Sequence, residues 1–151
     1  MINGPGISEG WSEKIPVLLV WKESTGAHTA SYIDNKIWKE NISIAGKAQM
    51  NKLSEGNWNS DRWDEILDSS QKFVEDSKLL DDLSRNKLRE IINNCLISME
   101  IEHKFVPLLC MLGESIVIVP RDLSSINEEI ELISEKLQDL GVLTSLSRIG
   151  E

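Results

Sequence analysis

The sequence has few features of a secreted or membrane-spanning protein. Its two cysteines cannot build a disulfide framework, so a reduced, cytoplasmic setting is expected. The first residues lack both the basic region and the apolar run of a secretory signal. The longest apolar runs, at 16–21 and 106–112, are too short to cross a bilayer. We therefore predict a cytoplasmic protein with no membrane partner.

Sequence motifs for catalysis or cofactor binding are also missing. No P-loop, dinucleotide-binding glycine pattern or nucleophile elbow occurs. The chain has only two histidines and two cysteines, and they show neither C-x-x-C nor H-x-x-x-H spacing: His28, Cys95, His103 and Cys110. We therefore predict no enzyme activity, no cofactor and no metal.

Positive charge is scarce relative to negative charge. Lys and Arg number 16 against 25 Asp and Glu, which gives a formal net charge of -9. Such a surface disfavours direct binding to nucleic acid or anionic membrane, and it suits a basic protein partner or simple solvation. The 151 residues fit one domain, 1–151, in which the Gly-, Pro- and Asn-containing stretch 1–10 forms an arm or loop.

Hydropathy patterns along the chain predict an α+β fold. Residues 15–21, 29–33 and 37–44 are typical of strands in an antiparallel meander, and 45–60 of a loop. Two apolar stripes of helical period follow, at about 60–74 and 78–92. The full order is βββααββαβ, a mixed or mainly antiparallel sheet of five to six strands with about three helices packed on one face.

The best-defined local pattern is strand, helix, strand over residues 114–149. A β-branched run at 115–119 is closed by Pro120, and Ser125 with Glu128 forms a capping box. Apolar residues then recur at helical spacing up to Gly141, which suits a left-handed position after a helix. Before this unit, alternation over 97–105 predicts a half-buried strand that carries His103 on its apolar face.

Acidic side chains at helical spacing form the candidate partner-binding residues. On the first predicted helix, the spacing of i, i+3, i+4 and i+7 puts one such set on a single side: Asp61, Asp64, Glu65 and Asp68. The plain alternative is a solvated face that suits the helix dipole and pairs with nearby basic residues: Arg62, Lys72, Arg85 or Arg89. A second row follows on the last helix: Glu128, Glu131 and Glu135.

Two tryptophans, Trp58 and Trp63, flank the segment 59–62 beside the first acidic row. Trp63 belongs to the apolar stripe and is predicted to lie in the core, whereas Trp58 is the better candidate for a surface contact. An aromatic ring beside carboxylates is typical of a site that anchors an Arg- or Lys-rich partner. We therefore add Trp58 to the predicted partner-binding residues.

Three functions remain open from the sequence. The first is a non-enzymatic protein-binding domain, such as a toxin-neutralising immunity protein or antitoxin, which occludes a basic partner with its acidic surfaces. The second is a small enzyme or ligand-binding domain with an anion site near Arg121 and His28. The third is a structural or assembly subunit held in a homo-oligomer. DNA mimicry is a narrower form of the first, and basic residues such as Arg85 and Lys87 dilute its charge pattern.

Overall fold

A computed structural model describes residues 14–23, 34–110, 114–124 and 129–149. In chain order, the elements of these ranges are β1 (Ile15–Trp21), α1 (Lys36–Leu53), α2 (Trp63–Asp76), α3 (Leu83–Ser98), β2 (Phe105–Leu109), β3 (Ser115–Pro120), α4 (Glu129–Asp139) and β4 (Leu143–Ile149). Short 3-10 turns precede α2 and α3, at Ser60–Arg62 and Leu79–Asp81. None of the helices in these ranges is long and apolar enough to cross a membrane.

The strands form one antiparallel sheet in the order β2-β3-β1-β4. On its two edges β1 pairs with β3 and β4, so that Leu18 lies opposite both Ile118 and Leu146. Because β3 and β4 are each antiparallel to β1, they run in the same direction without being neighbours. The helix between them therefore crosses over a strand that belongs to a distant part of the sequence.

Helices cover both faces of this sheet. Leu18 and Val20 of β1 point to the face covered by α3 and α4, where they meet Ile92 and Ile133. Val17 points to the other face and packs in the same cluster as Leu67 of α2. Here α1 packs on α2 as an outer layer. The continuous apolar sequence of β1 is explained by burial on both faces.

The prediction of five to six strands with three helices on one face is wrong. The described residues form four strands and four α-helices, which lie on both faces. The main error is at 36–53, where a strand and a loop were predicted and helix α1 is found. Asn35 caps this helix, because its side-chain oxygen accepts from the N–H groups of Ile37 and Trp38.

The weak helical pattern of α1 has a physical cause. The helix packs on another helix rather than on the sheet, and among its residues only Ala45 and Leu53 are fully buried. Ile37 and Ile44 remain exposed, so apolar residues do not mark its inner side. Without a clear 3.6-residue period, the two-residue spacing that puts Trp38, Ile42 and Ile44 on one face wrongly predicts a strand.

The predicted strand at 97–105 is also wrong. Helix α3 continues to Ser98, Glu100 takes a left-handed conformation with φ 58°, and β2 begins only at Phe105. Ile97 is exposed, and His103 lies exposed in the turn rather than on an apolar face. Three further predictions lie outside the described residues: the arm at 1–10, the strand at 29–33 and the capping box at 125–128.

The strand-helix-strand pattern of the C-terminal third is confirmed over its described part. Ile130, Ile133 and Leu137 are buried on α4, as their spacing predicts. Gly141 has φ 78°, and its N–H donates to the carbonyl of Gln138 at 2.9 Å, which ends the helix. The two strands of this unit do not pair with each other, however, since β1 lies between them.

Replacing Leu67 by alanine tests the contact between α2 and the sheet. Leu67 has 0% of its surface exposed, so Leu67→Ala should lower the free energy of unfolding by about 2–5 kcal/mol, measured by chemical denaturation. Leu83→Ala is the matched control, because Leu83 is 75% exposed on α3 and should change stability by less than about 0.5 kcal/mol. Equal effects of the two substitutions would contradict this packing.

Candidate partner-binding surface

The first turns of α2 are fixed against the end of β3. The indole Nε1–H of Trp63 donates to the carbonyl of Pro120 at 2.8 Å, and the ring packs against the core that contains Leu67. Trp63 thus packs against the core on the predicted side of the helix, although the residue itself is only partly buried. A helix start held by both a hydrogen bond and core packing presents its outer side chains in a defined arrangement.

Two of the predicted acidic residues share one arginine. Arg121, just after β3, places its Nη1 at 3.2 Å from Oδ1 of Asp64 and at 3.5 Å from Oδ1 of Asp68. The Asp64 and Asp68 side chains are nevertheless 71% and 62% exposed. Ion pairs so close to solvent contribute at most about 1 kcal/mol to stability, so the carboxylates remain available for exchange with another cation.

Asp61 completes this group from the 3-10 turn before α2. Its side chain is exposed, and its Oδ2 accepts from the Nδ2 of Asn59 at 3.3 Å. We call Asp61, Asp64 and Asp68, together with Arg121, the α2 acidic surface. The guanidinium of Arg121 is within ion-pair distance of two of these three carboxylates, so the surface keeps a net negative charge.

Glu65 has a structural role instead. It accepts from Nε of Arg62 at 2.7 Å, and Nη1 of the same arginine donates to the carbonyls of Leu53 at 2.8 Å and Asn57 at 3.3 Å. This network ties the end of α1 to the start of α2. The bond from Arg62 lowers the pKa of the Glu65 carboxyl below its ordinary value. Glu65 therefore makes a shorter ion pair within the fold than Asp64 or Asp68, at 2.7 Å against 3.2 and 3.5 Å.

The network also explains a glycine in the connection between α1 and α2. A Cβ atom at Gly56 would lie 2.8 Å from Nη1 of Arg62, too close for the guanidinium to keep its place. Trp58 lies in this same connection and is half-buried.

The second predicted acidic row lies on the opposite side of the sheet. Glu131 and Glu135 are exposed on α4, which covers the face away from α2, and Glu128 lies outside the described residues. Glu129, next in the chain, bonds to Nζ of Lys104 at 2.6 Å, and this bond lowers the pKa of its carboxyl. The two rows therefore cannot contact a small partner as one surface.

The basic residues suggested as counterions behave differently from one another. Arg62 pairs with Glu65 as suggested, whereas Lys72 bonds to Asp76 at 2.6 Å, outside the acidic row. Arg85 is fully buried, and its Nη1 donates to the carbonyl of Leu79 at 3.4 Å. Arg121, which reaches Asp64 and Asp68, is distant in sequence, so helical spacing could not identify it.

The residues suggested for an anion site, a reactive cysteine or a metal site do not form such a site in the described part of the chain. Arg121, suggested for an anion site, is bonded to carboxylates, and His28 lies outside the described residues. Cys95 is buried, and burial raises the pKa of its thiol. Within the described ranges, no group of three or more His, Cys, Asp or Glu side chains could hold a metal ion.

An apolar groove of about 360 Å³ lies between α1, α2 and β2, and the sequence did not predict it. It is lined mainly by Met50, Leu53, Phe73, Val74 and Leu108. Because α1 forms one wall, the groove could be found only once that helix was known. The buried hydroxyl of Ser69 lies beside it without a hydrogen-bond partner among the described residues.

Comparison with known proteins adds no relative. No protein-family model matches the chain, and the searches of curated proteins and of solved structures give no significant match.

The Glu65–Arg62 bond predicts a pH dependence of stability. Because the folded pKa of Glu65 is lowered, its contribution is present above the pKa of the unfolded chain and is lost as pH falls through the folded value. Glu65→Gln should therefore lower the free energy of unfolding at neutral pH and approach the wild type in acid.

A double-mutant cycle gives the control for this pH dependence. Arg62→Gln alone should cost more than Glu65→Gln, because it also loses the bonds to the carbonyls of Leu53 and Asn57, and adding Glu65→Gln should cost little more, because the shared bond is already broken. Denaturant titrations from neutral to acidic pH measure all four proteins. A pH-independent effect of Glu65→Gln, or fully additive losses, would contradict the assignment.

Proposed function

We propose that this chain is a non-enzymatic protein-binding domain that occludes a basic protein partner with the α2 acidic surface. The class that suits it best is a cytoplasmic, toxin-neutralising immunity protein or antitoxin. One observation carries the proposal: Asp61, Asp64 and Asp68 lie in successive turns, exposed, on a helix start that is fixed to the sheet. The carboxylates are thus arranged before a partner arrives, which lowers the entropic cost of binding.

Arg121 has a specific part in this mechanism. In the free protein its guanidinium neutralises part of the charge of Asp64 and Asp68. A partner that presents two or more Lys or Arg side chains would displace Arg121 and take over both carboxylates. Binding is then an exchange of ion pairs, and its net free energy is the difference between the new pairs and the old ones.

The remaining acidic residues act over a longer range. With a formal net charge of -9, the whole molecule attracts a basic partner and raises the rate of encounter at low salt. Glu131 and Glu135 contribute to this field from the far side of the sheet, without contact. Trp58, half-buried in the connection that leads into α2, would supply a ring against which the alkyl part of a partner's Lys or Arg can pack.

Neutralising the α2 acidic surface should abolish the complex. Basic proteins are captured from the native cell at low salt on immobilised chain, and their affinity for the triple variant Asp61→Asn, Asp64→Asn, Asp68→Asn is then measured by calorimetry. We expect a loss of at least about 100-fold, since each broken charged contact costs roughly 1–3 kcal/mol.

The matched control removes the same charge elsewhere. The triple variant Glu131→Gln, Glu135→Gln, Asp139→Asn lies on α4, where all three side chains are exposed. It should slow association but keep most of the affinity. Equal losses in the two triple variants would show that net charge alone drives binding, and an unchanged affinity of the α2 variant would refute the proposed site.

Removing Arg121 should have the opposite effect. Arg121→Gln frees Asp64 and Asp68 in the unbound protein, so a basic partner no longer has to displace a guanidinium, and its affinity should rise several-fold. The stability of the variant should fall by no more than about 1 kcal/mol, because the broken pairs are solvent-exposed. Weaker binding by Arg121→Gln would mean that this arginine itself contacts the partner.

A further inference from the structure

The outer edge of β4 is open in the described part of the chain. There β4 ends the sheet, and no strand of those ranges pairs with its second side. Its residues are exposed or half-buried throughout, and Leu146 at its centre is 48% exposed. Leu143 and Ile149, at its two ends, are also exposed. A long edge strand with apolar side chains is a template for pairing with another strand.

The opposite edge of the sheet is blocked. This edge is strand β2. Just beyond its two ends, the N–H of Cys110 donates to the carbonyl of Ser115, and the carbonyl of Lys104 accepts from the N–H of Arg121. The even-numbered residues of 104–110 therefore turn their backbone N–H and C=O groups toward β3. Odd-numbered residues therefore point outward, and the middle one is Pro107, which has no N–H. Of the two edges, only β4 offers an uninterrupted set of donors and acceptors.

The same alternation identifies the outward groups of β4. Along β3, Ser115 and the other odd-numbered residues turn their backbone groups toward β2. The even-numbered residues, which include Ile118 opposite Leu18, therefore turn theirs toward β1. The odd-numbered residues of β1 then face β4, and Leu19 meets Ser145. On β4 the residues that turn their N–H and C=O groups outward are therefore Thr144, Leu146 and Arg148.

We propose that β4 pairs antiparallel with β4 of a second copy of this chain, about a two-fold axis at Leu146. The strand is self-complementary in this register. Leu143 faces Ile149, Ser145 faces Ser147, and Leu146 faces its own equivalent. Each outward residue also meets another outward residue, so that all the free backbone groups of β4 form hydrogen bonds. A shift in either direction leaves some of them unpaired.

Charge supports the same register. Thr144 Oγ1 lies 2.7 Å from both Ser134 Oγ and Gln138 Nε2, so the side of α4 that carries these two residues lies over the β4 edge. Glu131 is exposed on that side of the helix, three residues before Ser134 and seven before Gln138. In the proposed dimer, Arg148 of the second copy lies opposite Thr144 and hence on the side of α4 that carries Glu131. The two-fold axis forms this pairing twice.

This interface is independent of the proposed partner-binding surface. The α2 acidic surface packs beside β2 and β3, at the far side of the sheet from β4. A dimer formed through β4 therefore leaves the α2 acidic surface of each copy open. The failure of either proposal has no bearing on the other.

A cysteine placed on the axis tests the register. Residues that form a hydrogen-bonded antiparallel pair have Cα atoms about 5.5 Å apart, within the range a disulfide spans. Leu146→Cys, in a Cys110→Ser background that leaves only buried Cys95, should give a covalent dimer under mild oxidation. In the same background, Arg148→Cys is the control, because its two copies lie roughly 13 Å apart along the strands and should not cross-link.

Each result of this experiment decides the proposal. A dimer from Leu146→Cys and none from Arg148→Cys supports the register. No cross-link at Leu146, or equal cross-linking at both positions, overturns it.

The association itself is tested on the unmodified chain by sedimentation velocity. Wild type should form a concentration-dependent dimer, and Leu146→Pro should weaken it at least tenfold, because proline removes an outward N–H and leaves the pairing with β1 intact. Leu146→Lys is the second variant, in case proline unfolds the strand. Ile97→Lys, an exposed apolar position on α3, should dimerise like wild type. A wild-type chain that stays monomeric at about millimolar concentration, or a dimer unaffected by both Leu146 variants, overturns the proposal.

Discussion

The rest of this fold depends on the central position of β1, which is buried on both faces and paired on both edges. Leu18 and Val20 require cover on one face, and Ile15 and Val17 require it on the other. Two separate cores follow, one under α3 and α4 and one under α2. Because β1 occupies the centre, the two strands of the C-terminal unit are held apart, and β4 is left at the edge.

The sequence correctly predicted the elements whose apolar residues are the ones that the fold buries. The stripe of α4 and the left-handed Gly141 were found because α4 lies directly on the sheet. Helix α1 was missed because it buries little and leaves Ile37 and Ile44 exposed. The end of α3 was missed for a similar reason, since Ile97 is apolar but exposed. Pairings between distant residues, such as Arg121 with Asp64, leave no local pattern.

Helical spacing predicted that the acidic residues of the candidate site lie near one another, but it did not predict which arginines of the same chain pair with them. Asp64, Glu65 and Asp68 do share one region of α2, yet each meets an arginine of the same chain. Arg62 makes Glu65 part of the connection between two helices, whereas Arg121 lies over exposed carboxylates in a pairing that solvent and competing cations can replace. An acidic patch is thus better described by how firmly its own counterions are held than by its count of carboxylates.

Pro107 has a consequence for the size of any assembly that this sheet can form. A sheet with two open edges can add a copy at each side, and such growth has no natural end. Here the missing N–H interrupts one edge in its middle, so among the described strands β4 keeps the edge with a full set of outward N–H and C=O groups. The dimer proposed through β4 would then close at two copies. A single imino acid would then separate a finite complex from an aggregating one.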